Sequence, residues 1–197
     1  MKKGVIIGII VAIVIVAIVV GYIVLQSGKD SGGSARGSDT TSTTASALAG
    51  CLSPLNAEKL PGSLGGFSGT AMEVTKPYSW TGPDGAKSSM TLTKGYGSIY
   101  TASGGKMLIA QVVKFKNSED YDKIKSDMEI LKRDAQVGVI TKTSVNEAET
   151  YLWDISDTKS VSYYIFAGDN TFTVFMFTGL TATEAQAWVD EWKTSIC

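Results

Sequence analysis

No histidine occurs in this 197-residue chain. That absence removes the commonest general base and the commonest metal ligand together. Cysteine is scarce too: only Cys51 and Cys197 are present, and without histidine two thiols cannot fill a tetrahedral metal shell. No Asn-x-Ser/Thr sequon occurs anywhere in the chain. Excess charge of either sign is also missing. The net charge is −1, and residues 51–197 carry 14 Lys/Arg against 17 Asp/Glu, a balance of −3. Such a surface exerts no overall pull on phosphates, which excludes a general nucleic-acid binder. A hydrophobic content of 44% excludes a disordered chain.

What is abundant sits at the start. Residues 5–25 (VIIGIIVAIVIVAIVVGYIVL) run without a charge. As a helix they extend about 31 Å, the hydrocarbon thickness of a bilayer. The expectation is a single transmembrane helix within 1–26, held by the lipid bilayer. Lys2 and Lys3 precede the run, whereas Lys29 is offset by Asp30 and Arg36 by Asp39. The positive-inside rule then keeps the N-terminus cytoplasmic and places residues 27–197 outside, in an extracellular or periplasmic space. Residues 27–50 are mostly Gly, Ser, Thr and Ala. They read as a flexible linker whose mean reach is roughly 27 Å.

Three processing signals compete with a plain anchor. Secretory cleavage would need a shorter apolar core, and Ala45-Ser46-Ala47 lies too far beyond this one; the other two are short motifs. Leu48-Ala49-Gly50-Cys51 resembles the lipobox of bacterial lipoproteins, which implies a lipid on Cys51; the polar stretch sets it apart from the apolar run. Lys2-Lys3-Gly4 before the apolar segment resembles the leader of type IV prepilins, which implies cleavage after Gly4 and a helix packed in a filament core. In an oxidising compartment, Cys51 and Cys197 would instead bridge, because they bracket the domain 51–197.

Within that domain the pattern alternates. Residues 70–80, 89–101, 106–116, 139–145, 149–156, 160–167 and 171–177 read as strands, the second interrupted by a bulge at Gly95–Gly97. Residues 54–69 read as an irregular entry. Asn117 opens an amphipathic helix whose apolar face carries Tyr121, Ile124, Met128, Leu131 and Ala135. Thr181 and Glu184 form a capping box ahead of Ala185, Trp188, Val189, Trp192 and Ile196. The fold class is α+β: one mostly antiparallel sheet of about six or seven strands with two helices packed on one face.

Chemistry is sparse. The segment GSLGGFSG has neither the dinucleotide spacing nor a Walker lysine, and no G-x-S-x-G or S-x-x-K signature sits at an element end. No catalytic residue, cofactor or metal ligand is assigned. Tyr78, Trp80 and Tyr96 each adjoin a turn or a glycine, and exposed aromatics there would form a binding surface. The sequence therefore predicts a single-pass, membrane-anchored, non-catalytic binding or docking domain with a protein partner in the cell envelope and no nucleic acid. The rival is a filament subunit processed after Gly4, and a membrane-tethered hydrolase is the remaining alternative.

Overall fold

A computed structural model describes residues 46–197. The spanning helix expected over 5–25 and the greater part of the linker lie outside the described residues. Among the described residues no helix is long and apolar enough to cross a membrane.

The described body opens with helix α1 (Ala47–Leu52). Ser46 caps it, and the Ser46 hydroxyl donates to the Ala167 carbonyl at 2.6 Å. Leu48 and Leu52, four apart and so on one face, are both buried in the core. Residues 46–50 therefore belong to the folded body rather than to the linker. Their small, polar composition hides a helix that depends on just two leucines.

Eleven strands follow among the described residues: β1 (Ser63–Leu64), β2 (Phe67–Gly69), β3 (Met72–Glu73), β4 (Tyr78–Thr81), β5 (Lys87–Met90), β6 (Leu92–Thr101), β7 (Met107–Phe115), β8 (Val139–Val145), β9 (Ala148–Ile155), β10 (Ser160–Gly168) and β11 (Thr171–Thr178). Helix α2 (Ser118–Asp134) joins β7 to β8, and α3 (Ala182–Ile196) follows β11. Nine strands form one sheet in the order β1-β2-β6-β7-β11-β10-β9-β8, with β3 also on β6; β4 and β5 pair separately. Every pairing is antiparallel.

The expected strand 70–80 is two strands. Pro77 cannot donate to a ladder, and the chain there leaves β3 on the main sheet and starts β4 of the hairpin. The expected strand 89–101 also divides, at Thr91 and not at the glycines. Gly95 and Gly97 stay in register opposite Val113 and Gln111. Gly95 is there for closeness: a Cβ would come 3.0 Å from Val113 Cγ1 and 3.3 Å from Leu92 Cδ1. The entry 54–69 contains β1 and β2, whose Gly65-Gly66 turn needs positive φ (56° and 80°).

Both faces of the sheet are covered, so the helices do not share one face. Leu108, Ala110 and Val112 of β7, with Phe175 and Phe177 of β11, pack under α1 and α3 through Trp188, Val189 and Trp192. The alternate residues Val113, Phe115, Phe172 and Val174 pack under α2 and the β4–β5 hairpin through Ile124, Met128, Trp80 and Met90. The period-2 alternation sends successive side chains to opposite sides, and here each side meets its own apolar layer. Among the described strands β8 stands at one edge of the main sheet, and Val139 on it is 67% exposed.

The capping box is present: Thr181 N–H donates to Glu184 Oε2 at 2.8 Å, and Glu184 N–H donates back to Thr181 Oγ1 at 3.3 Å. Replacing Leu48→Ala removes a fully buried side chain from the first core and is expected to lower unfolding stability by about 2–5 kcal/mol. Urea denaturation of the purified chain checks this. A linker position would show no change in midpoint.

Candidate functional site

The two cysteines meet. Cys51 in α1 is disulfide-bonded to Cys197 beyond α3, with Cα atoms 4.9 Å apart. The β8–β9 turn braces this corner. Its residues Asn146 and Glu147 both take positive φ (46° and 68°). Leu48 N–H donates to the Asn146 carbonyl at 3.3 Å, and Asn146 Nδ2 donates to Cys197 Sγ at 3.5 Å. Bonded in this way, Cys51 has no free thiol for a lipid, and Leu48 of the lipobox-like stretch is buried in a helix.

The aromatic candidates are distributed between the two cores. Trp80 is 8% exposed and Tyr96 9% exposed; Tyr78 is half-buried. Tyr78 meets Phe115 edge-on at 5.7 Å and Phe172 at 6.1 Å. Burial pushes the Tyr78 hydroxyl well above its ordinary range, with the charge of Tyr164 adding to the effect. Tyr96 lies on the opposite side, under α1 and α3, and Lys94 Nζ sits 5.7 Å from its ring. Trp80 and Tyr96 are buried and Tyr78 is half-buried, in cores on opposite sides of the sheet, so the three are not brought together as one exposed aromatic surface.

Trp80 leads to a shallow groove. Its indole Nε1–H donates to Asp127 Oδ2 at 2.7 Å, and Lys123 Nζ approaches the same oxygen at 2.9 Å. Asp127 lies beside a depression of about 400 Å³ between the β4–β5 turn and α2, lined with Pro83, Asp84, Ile130, Leu131 and Asp134. Its carboxylates hold partners from the same chain. Asp134 is gripped by Arg133 at 2.7 and 2.8 Å, and Asp84 accepts from Ala86 N–H at 3.0 Å. A second depression, also about 400 Å³, lies between the β1–β2 turn and α3. It is crossed by the Lys106–Glu184 ion pair at 2.9 Å and by a bond from Gly65 N–H to Glu191 Oε1 at 3.3 Å.

The densest polar cluster was not legible in the sequence. The Tyr151 hydroxyl lies 2.7 Å from Glu129 Oε1 and 2.8 Å from Glu149 Oε1. Lys142 Nζ contacts the same two oxygens at 2.7 and 3.0 Å, and Lys125 Nζ reaches Glu149 Oε2 at 2.9 Å. Lys125 and Glu129 stand one helical turn apart on α2, which periodicity does reveal. Lys142 and Tyr151 face each other across β8 and β9, a pairing that only the register discloses. Burial raises Tyr151 far above its ordinary range, and its hydrogen bonds to two carboxylates raise it further. A phenol so held is a poor proton donor at neutral pH, and the cluster works as a clamp between α2 and the β8–β9 hairpin.

Desolvation acts to raise the Glu149 carboxyl, but hydrogen bonds from Lys125, Lys142 and Tyr151 outweigh it and bring it to about 2. Among the described residues no group of three or more His, Cys, Asp or Glu side chains is placed to hold a metal ion. No known protein family, characterised protein or solved structure matches the chain.

Because the folded carboxyl of Glu149 titrates below its unfolded value of about 4.3, its stabilising contribution is complete above that value and is lost as pH falls through about 2. Glu149→Gln should flatten the loss of stability between about pH 4.3 and pH 2. Urea midpoints across that range check it, and an unchanged slope would remove Glu149 from the clamp.

Proposed function

We propose that residues 5–25 anchor the chain in a membrane and that the body from Ser46 onward is displayed on the extracytoplasmic side as a non-catalytic binding or docking domain, an accessory subunit of an envelope assembly. The observation that carries this reading is the Cys51–Cys197 bond. Its formation uses both cysteines of the chain, and such bonds persist in oxidising compartments outside the cytoplasm. The uncharged 21-residue run ahead of it has the length that a bilayer demands. Binding is favoured over catalysis by the state of the polar groups. The groove carboxylates are engaged by Trp80, Lys123, Arg133 and the Ala86 amide, and burial with two carboxylate partners keeps the Tyr151 hydroxyl protonated.

The topology is tested with sealed right-side-out membrane vesicles and a membrane-impermeant maleimide. Both cysteines are expected to label only after reductant is added, with no need to permeabilise. Labelling without reductant, or only after the vesicles are opened, would sink the proposal.

A further inference from the structure

Two covalent routes join the chain before Cys51 to the folded body. One is the main chain through residues 53–62; the other is the bond from Cys51 to Cys197 at the end of α3. The main-chain route is the accessible one. Ser53, Pro54, Ala57 and Glu58 are exposed, and Ala57–Lys59 forms a single short turn. Beyond it the chain is fastened again: Trp192 Nε1–H donates to the Lys59 carbonyl at 2.8 Å, Leu60 is buried, and the Tyr100 hydroxyl donates to the Pro61 carbonyl at 2.9 Å. A cut between Ala57 and Glu58 therefore falls between two fastened segments and leaves both in place.

We propose that the disulfide makes release of the domain from its N-terminal segment conditional on two events, a backbone cut within 53–58 and reduction by a dithiol. Either event alone leaves one covalent route intact. Cys197 is exposed, so a thiolate can attack there. One thiolate of the reductant displaces a cysteine sulfur, forming a mixed disulfide; its second thiolate then displaces the other. Cys51 and Cys197 gain two electrons and two protons, and the dithiol leaves as its disulfide. After both events α1 is held by non-covalent contacts alone: Leu48 and Leu52 in the core, the partly buried Ala49, Cys51 and Leu55 against it, and a few hydrogen bonds. A six-residue helix is far shorter than an isolated helix that persists in water, so once it leaves it unfolds, and no covalent bond opposes its departure. This device rests on the anchored reading of residues 5–25.

The test uses the full chain in its membrane, with a short protease recognition sequence inserted between Ala57 and Glu58. Cutting alone is expected to leave the domain in the membrane pellet as one species on a non-reducing gel. Cutting followed by dithiothreitol should move nearly all of it to the supernatant, and Cys51→Ser should release it on cutting alone. Release of the wild-type pair by the cut alone, or retention after cut and reductant, would overturn the device. Near-ultraviolet circular dichroism before cutting reports whether the insertion disturbs the fold. A failure of the anchored reading is distinguishable, since uncut protein would then already be in the supernatant.

Discussion

A sheet buried on both faces must have an apolar layer on each side, and that requirement organises this protein. Strand β11 is central in the order, and Phe172 and Val174 project into one core while Phe175 and Phe177 project into the other. Leaving either side open would expose a contiguous aromatic surface to water, at roughly 25 cal/mol for each Å². The connection through α2 satisfies the demand on one side. Strands β7 and β8 run parallel because four antiparallel steps separate them, and a parallel pair needs a crossover element. Four strand spacings amount to roughly 19 Å, within the about 25 Å length of a 17-residue helix. The other side is closed by α3, brought back over the sheet after β11, and by α1, which joins it through the disulfide.

The polar chemistry is arranged around the same two layers. Trp80 needs a partner for its indole N–H once the hairpin covers the α2-side core, and Asp127 supplies it from α2. Toward the β8 edge of the sheet the clamp of Lys125, Glu129, Lys142, Glu149 and Tyr151 fixes α2 onto the β8–β9 hairpin. These groups are ordered by one another, so their charges serve attachment between elements before they serve any ligand.

Much of this was readable from residue order. The Asn117 cap, the Thr181–Glu184 box and the strands from β7 to β11 follow from period and capping chemistry that act within a few residues. What failed was whatever depends on distant partners. Two helices with similar apolar stripes give no sign of which side of the sheet each will choose, and they chose opposite sides. Gly95 looked like a bulge, although its reason is a neighbouring valine on another strand. Tyr78, Trp80 and Tyr96 looked exposed because turns flank them, yet burial is decided by elements far away in sequence. Helix α1 was hidden for the opposite reason: its local signal is weak, and its leucines gain their meaning only from the core they enter.

The β8 edge of the sheet has a consequence for how the protein behaves in a crowded suspension. Strand β8 reads VITKTSV, and its outer backbone groups have no neighbour among the described strands. An open row of this kind is a template for a second strand. The one cationic side chain in the segment, Lys142, is tied to Glu129 and Glu149. The same lysine that secures a helix also stands as the sentry on the edge. Neutralising it would couple two failures, a loosened α2 and a β-branched strand with no charge to keep copies from zipping together. At this edge, protection against a second strand and part of the hold on α2 thereby depend on one ammonium group.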